Sequence, residues 1–472
     1  MQRQSTSGGD ERSGETGRRR RQLLDRRKFM MASGALAGLS VTGSAVARQE
    51  QEESESDEGE SEGDGGPERG TPEYLEEHYP GLRIYSPDPE NAEAAARETY
   101  TSYLTPKEEH YIRNHYLSPQ LDAEEWEIEL RLGEETVSLS MDDLEREYST
   151  ESVAHTMQCS GNGRSYFDPE VAGNPWTFGA VGNTIWTGAP VSEILEAHDA
   201  DTSDGKWLMA AGGDHPEGER IFARSIPMQK VMDDCLLAYE MDGEPLSAEH
   251  GHPVRLLVPG WMGNNNVKWL RELEVMDMMM IGEEWEQYLH WQQNSYRIIP
   301  EGEEAEHNET IDEFDTWAQM EAAANGELDH LPYIYDQVVK SIIGYPGEES
   351  TVSPRAQDGS VEVLGVAWAG DDRVESVEVS TDGGESWEEA EFFGPDLGPG
   401  GWRQFRYLWE AEPGEHVLYS RATDENGYTQ FGPISDPEAG LEAISDEQFP
   451  WNQDGYACNA YEPHGVTVTV EE

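Results

Sequence analysis

Apolar positions fall into two regimes along the chain. Between Pro72 and Pro332 helical and strand spacings are mixed. Pro190 to His198 sets Val191, Ile194 and Leu195 on one helical face behind a first-turn proline, and Ser225-Ile226-Pro227 opens a second helix with Met228, Val231 and Met232 inward. Leu236 to Met241 reads as a strand turned at Asp242-Gly243, Pro253 to Val258 as a strand carrying Arg255, and Leu273 and Val275 continue the alternation. Met276 to Met280 reads as core or partner-facing filler rather than a metal box. From Tyr333 onward only short alternating runs remain, at Val361/Val363, Val374/Val377/Val379 and Val417/Tyr419. Turn signals such as Asp382-Gly383-Gly384 and Asp424-Glu425-Asn426-Gly427 separate them. That spacing predicts an immunoglobulin-like β-sandwich without the Cys–Trp–Cys pattern of antibody domains. The fold class is α+β, with a mixed unit over 72–332 followed by a sandwich over 333–472.

The residues ahead of Pro72 carry no such pattern. Arg26-Arg27-Lys28-Phe29-Met30 is a twin-arginine signature, followed by a small apolar run to Val46 and an Ala45-Val46-Ala47 cleavage-type site. Residues 1–47 are therefore expected to be a twin-arginine signal. Export would place the protein on the periplasmic or extracellular face of the membrane. Residues 48–71 are mostly Glu, Ser, Gly and Asp and bury too little surface to offset ordering entropy, so a disordered acidic linker is expected.

Charge narrows the partners. The 472 residues carry a formal net charge of −65, and the only lysines are Lys28, Lys107, Lys206, Lys230, Lys268 and Lys340. Acidic residues spread through every segment resemble the solvated surface of a halophilic protein. Such a surface repels phosphate backbones, which argues against nucleic acid as a partner. It also repels a small anionic substrate, so an anion site must be a local cluster of arginines.

Three cysteines, Cys159, Cys235 and Cys458, give neither a disulfide framework nor a CxxC zinc pattern nor the CxxCH of covalent haem. Cys159 stands apart. The apolar-flanked segment Ser152 to Met157 runs as a strand into it, and Ser160-Gly161-Asn162-Gly163 turns sharply toward Arg164. Glycine lets backbone approach a ligand closely, so this arrangement can present a sulfur to a cavity. Taken alone it equally describes a buried structural cysteine.

Four further stretches accompany it in order: Tyr111-Ile112-Arg113-Asn114-His115, Gly182-Asn183-Thr184-Ile185-Trp186-Thr187-Gly188, Leu236 to Gly243, and His250-Gly251-His252-Pro253-Val254-Arg255 through Pro259-Gly260 to Lys268-Trp269-Leu270. Together with the Cys159 stretch they resemble the sulfite oxidase family of molybdopterin enzymes over residues 90 to 300. The resemblance implies a molybdopterin-binding domain followed by a dimerisation domain, hence a homodimer. It further implies a molybdenum–molybdopterin cofactor whose metal is held by Cys159, with Cys235 and Cys458 structural. A soft thiolate beside a pterin dithiolene suits molybdenum.

By the same resemblance Arg113, Arg164 and Arg255 form the anion site, Tyr296 hydrogen-bonds the substrate, and Trp176 is either a pocket wall or core. Asn114, His115, Asp214, His250, Arg255, Asn266, Val267 and Lys268 would hold the pterin. Lys268, kept beside Asn264-Asn265-Asn266 in a chain that has nearly eliminated lysine, reads as bound to an anion. The implied reaction is oxidation of sulfite to sulfate by oxygen-atom transfer. With no haem expected, electrons would pass to an external protein, such as a cytochrome or copper protein. Two alternatives stay open: the same cofactor acting on nitrate, a sulfoxide or another sulfur compound, and a cofactor-free exported binding protein.

Overall fold

The structure is a computed structural model that describes residues 66–167, 170–297, 316–325, 327–328, 332–355, 359–432 and 454–471. The expected signal and all but the last residues of the acidic linker lie outside the described residues.

The N-terminal unit is built from three sheets. Leu82–Pro87, Glu90–Ala94 and Ile112–Arg113 form a small antiparallel sheet. A second sheet runs in the order Glu244–Pro245, Leu236–Met241, Val181–Pro190, Glu151–Gln158, with Arg255–Leu257 also paired to Leu236–Met241. The third runs Glu135–Ser140, Glu127–Leu132, Leu270–Met276, Trp207–Gly212, Ala223–Pro227. Helices Val191–Ala197 and Met228–Asp234 bury Val191, Ile194, Leu195, Met228 and Val231 against both five-stranded sheets.

Two elements differ from the sequence reading. Ser225-Ile226-Pro227 ends a strand rather than opening a helix, because these residues pair with Met209, Leu208 and Trp207. The helix starts only at Met228, with Pro227 at its N-cap. The strand expected from Pro253 to Val258 shortens to Arg255–Leu257, since Pro253 has no N–H to give a ladder. The methionine run is mainly core: Met279 and Met280 are buried and Met278 is exposed.

The C-terminal unit is a sandwich of two sheets, Lys340–Tyr345, Val361–Trp368, Arg403–Trp409, Glu391–Phe393 against Ser350–Val352, Val466–Val470, Gly414–Asp424, Val374–Ser380, Glu388–Glu389. Val363, Val377, Phe405, Leu418 and Val468 alternate inward and fill the space between them. Its regular strands begin at Lys340, later than the boundary at 333. The intervening segment adheres to the first unit, where Met262 N–H donates to the Tyr335 carbonyl at 2.8 Å and Gln337 Nε2 to the Thr156 carbonyl at 2.6 Å.

The two units share an apolar seam, with Tyr100, Tyr103 and Phe178 packed against Ile342, Val366, Trp368 and Trp402. Trp402 Nε1 donates to the Tyr103 carbonyl at 2.6 Å, and Trp368 Nε1 to Gln158 Oε1 at 2.8 Å. The second bond reaches the residue just ahead of Cys159, so the sandwich braces the strand that delivers the thiol.

Trp402 is fully buried at this seam. Trp402→Ala should lower the unfolding free energy by about 3–5 kcal/mol. Denaturant unfolding checks this, and a loss below about 1 kcal/mol would show that the seam does not couple the units.

Candidate active site

Strand Glu151–Gln158 is laddered along its whole length to Val181–Pro190, from Glu151 opposite Gly188 to Gln158 opposite Val181. The register then closes over the cysteine: Cys159 N–H donates to the Ala180 carbonyl at 2.9 Å, and the Cys159 carbonyl accepts from Asn162 N–H at 3.0 Å. Gly163 has a φ of +95°, and a Cβ there would sit 3.1 Å from Cys458 Sγ. Glycine is therefore needed both for the turn and for the close approach. From the other side Ala457 N–H donates to the Ser160 carbonyl at 2.7 Å, and Lys340 Nζ to the Asn162 and Cys458 carbonyls at 3.4 and 2.8 Å. Buried Cys458 is thus part of the brace, and buried Cys235 packs in the main core.

Cys159 opens on a cavity walled by polar, cationic and aromatic side chains. Arg113, Asn114, His115, Asp214, His250, Arg255, Asn266, Lys268 and Tyr296 all line it with Cys159. Burial pushes the thiol pKa up, while the Gly161 N–H and the charges of Arg113 and Arg164 oppose that. A metal cation replacing the proton would remove the penalty.

One end of the cavity is organised by Lys268. Its Nζ donates to the Arg113 carbonyl at 3.2 Å, to the Glu249 carbonyl at 2.7 Å and to Asn114 Oδ1. Burial and the neighbouring Arg255 pull its pKa down to about 7. Arg255 gives Nη1 to the His250 carbonyl at 3.0 Å and Nη2 to the Asn266 carbonyl at 3.2 Å, and lies 4.9 Å from the Trp186 ring. At the other end Tyr296 stacks on Tyr456 at 4.6 Å, and His115 meets Trp291 edge-on at 4.6 Å.

Arg164 gives its Nε to the Asp454 carbonyl at 2.9 Å, its guanidinium lies 5.0 Å from the Tyr456 ring, and its charge still acts on the Cys159 thiol. Two further positions turn to the core. Val267 buries its side chain in the main core, and its carbonyl accepts from Leu256 N–H at 2.8 Å. Trp176 is core rather than wall, 1% exposed and edge-on to Tyr85. Asn266 lines the cavity but spends its amide on Val258 N–H and the Met262 carbonyl, at 2.7 and 3.0 Å. It shapes the loop that carries Lys268.

The sequence reading missed Arg224, His110, Phe222, Trp269 and Trp291 as wall residues. Arg224 could have been flagged by the argument used for Lys268, as a cation flanked by apolar residues in a chain of net charge −65.

The unanswered polar atoms of the wall fit a large, polar cofactor together with a small anion. Arg224 Nε and Nη2, Arg255 Nε, Asp214 Oδ1, Asn264 Oδ1 and His110 Nε2 are all buried without a hydrogen-bond partner, an expensive state unless a ligand answers them. Among the described residues no three His, Cys, Asp or Glu side chains converge as a metal set. A metal at Cys159 would therefore take its remaining ligands from the cofactor.

Comparisons with known proteins agree with this geometry. Residues 115–283 match the oxidoreductase molybdopterin binding domain, and residues 332–430 the Mo-co oxidoreductase dimerisation domain. The chain is 32% identical to mitochondrial sulfite oxidase of Rattus norvegicus over 83% of its length, spanning 66% of that relative. It is 32% identical to sulfite oxidase of Gallus gallus, covering 70% of this chain and 68% of the relative. Nitrate reductase [NADH] of Spinacia oleracea is 28% identical over 69% of the chain, which spans 34% of that protein. Among solved structures, the sulfane dehydrogenase SoxCD from Paracoccus pantotrophus aligns with a TM-score of 0.60 at 26% identity, covering 88% of this chain and 96% of that one.

Burial holds the pKa of His110 down to about 3, with Arg255 and Lys268 adding to the effect of desolvation. A base whose folded pKa is depressed stabilises the fold while neutral, and that stability is lost as pH falls from about 6.5 toward the folded value. Between pH 6 and pH 4.5 unfolding free energy should therefore drop with acid, His110 contributing about 1.4 kcal/mol per pH unit. His110→Gln should flatten the profile by that amount in denaturant titrations. Parallel profiles would show that His110 takes up its proton in the folded state.

Proposed function

Because the chain belongs to the sulfite oxidase family of molybdopterin oxidoreductases, we propose that it oxidises sulfite to sulfate. The observation that carries this reading is the ring of Arg113, Arg224, Arg255 and Lys268 around the buried Cys159 thiol. In a protein of net charge −65, cations gathered with no ion-paired carboxylate among the described residues mark a place for anions.

The overall reaction is sulfite plus water giving sulfate, two protons and two electrons. The molybdenum–pterin group, when bound, supplies oxygen-atom exchange with sulfur and stores the electrons. The chain's own residues do the rest. Cys159 holds the metal through its thiolate. Lys268, Arg255, Asp214 and Asn114 sit where the polar edges and phosphate of the pterin need partners. His250 is fully buried and well below its ordinary pKa through desolvation. Its ring is bonded to Ser247 Oγ at 2.8 Å and to the His110 carbonyl at 3.3 Å, so it stays neutral and firmly oriented.

Arg113 presents a fixed positive charge to the sulfite oxygens, and Tyr296 a hydroxyl. Fixed donors aimed at redistributing charge lower the barrier without reorganisation. The apolar walls, Met157, Phe222, Trp269 and Trp291, keep the site dry and strengthen each of these contacts. The electrons would be accepted by an external protein, such as a cytochrome or copper protein. The exported location, the absence of haem from this unit and homodimerisation through the C-terminal sandwich belong to the same reading.

Cys159→Ser should abolish sulfite turnover while far- and near-ultraviolet circular dichroism stay unchanged. Retained turnover would refute the metal-ligand role. Arg113→Gln should raise the Michaelis constant for sulfite about tenfold or more, as expected for loss of a charged hydrogen bond, and an unaltered value counts against its anion role. Sulfite-dependent acceptor reduction should exceed viologen-driven nitrate or sulfoxide reduction by the wild-type protein. The reverse order would transfer the same site to another substrate.

A further inference from the structure

Arg224 lies on strand Ala223–Pro227 at the edge of its sheet, yet it is fully buried. Only Nη1 is engaged, donating to the Ala223 carbonyl at 2.7 Å, and Nε and Nη2 have no partner. No described carboxylate pairs with it; the charged or titratable groups around it are Arg113, His115, Tyr296 and Tyr456. Its guanidinium lies 4.1 Å from the Phe222 ring and 5.4 Å from the Tyr296 ring. The aromatic contacts fix the plane of the guanidinium while leaving a two-donor edge unanswered. Burial holds its pKa down to about 10, so it is still charged at neutral pH.

The other arginines of the site are committed differently. Arg255 spends both Nη atoms on backbone carbonyls, and Arg164 gives its Nε to the Asp454 carbonyl. The cavity end beside Tyr296 carries in Arg224 a cation that the sequence reading did not count. We propose that Arg224, with Arg113 and Tyr296, forms the substrate-anion pocket, its Nε–Nη2 edge binding two oxygens of a small sulfur oxyanion. A planar fork matched to two oxygens binds more tightly and more selectively than a point charge. This assignment rests on the anion-oxidising reading above and names the residue that selects the substrate.

The test uses holoenzyme and two variants, Arg224→Met and Arg224→Lys. Sulfate, the product, serves as the probe in isothermal titration, alongside sulfite kinetics and molybdenum and pterin content. Arg224→Met should weaken sulfate binding and raise the sulfite Michaelis constant by about ten- to a hundredfold, the effect of losing charged hydrogen bonds. kcat should change far less, and cofactor content should equal that of the wild type. Arg224→Lys, which keeps charge and most volume but loses the fork, should recover part of the affinity, and it carries the test if the methionine variant does not fold. Unchanged sulfate affinity in either folded variant overturns the proposal. So does loss of pterin, which would place Arg224 on the cofactor instead. If the wild type fails to oxidise sulfite but binds sulfate in an Arg224-dependent way, the pocket stands and the choice of substrate fails.

Discussion

Everything at this site depends on burying positive charge where no described carboxylate neutralises it. Removing a guanidinium or ammonium from water is costly unless something inside answers it. Here Lys268, Arg255 and Arg224 are answered by carbonyls, by ring faces, or at some atoms by nothing. The fold tolerates this because the walls are held from outside: Glu249 accepts from Tyr79 Oη at 2.5 Å and orders the loop whose carbonyl meets Lys268. An anionic cofactor and, on the proposed reading, an anionic substrate complete the electrostatics. In a surrounding field this negative, a local positive pocket is also what lets an anion enter at all.

The same constraint explains the architecture around the thiol. Cys159 stands at the end of a fully laddered strand, so its position is set by a whole sheet rather than by a loop. The C-terminal sandwich then closes on it through Trp368, Lys340 and Ala457. Supporting contacts of this kind keep a site within the tolerance that chemistry requires. They also give the second unit a local role at the site.

Much of this was legible in the sequence. The strand into Cys159, the glycine turn after it, the Leu236–Met241 strand and the period-two sandwich all follow from local pattern. The wall positions of Arg113, Asp214, His250, Arg255 and Lys268 came instead from the family resemblance. What was hidden depends on side-chain direction. Arg164 is engaged by the Asp454 carbonyl and Tyr456, almost 300 residues on, contacts that no local pattern shows. Val267 alternates inward to the core because its neighbours on either side face the cavity. Arg224 occupies the end of a strand that reads as a helix start until Trp207–Gly212 pairs with it. Residues 333–339 carry strand-like composition but bind the first unit, since Gln337 and Tyr335 satisfy backbone groups there.

The central claim is that the Cys159 sulfur is a ligand of molybdenum. Molybdenum-edge X-ray absorption of the purified, cofactor-loaded protein tests it most directly, by counting sulfur neighbours of the metal in the native chain and with Cys159 replaced by serine. The account requires one sulfur fewer in the substituted protein. An unchanged sulfur shell, with metal still bound, would contradict it.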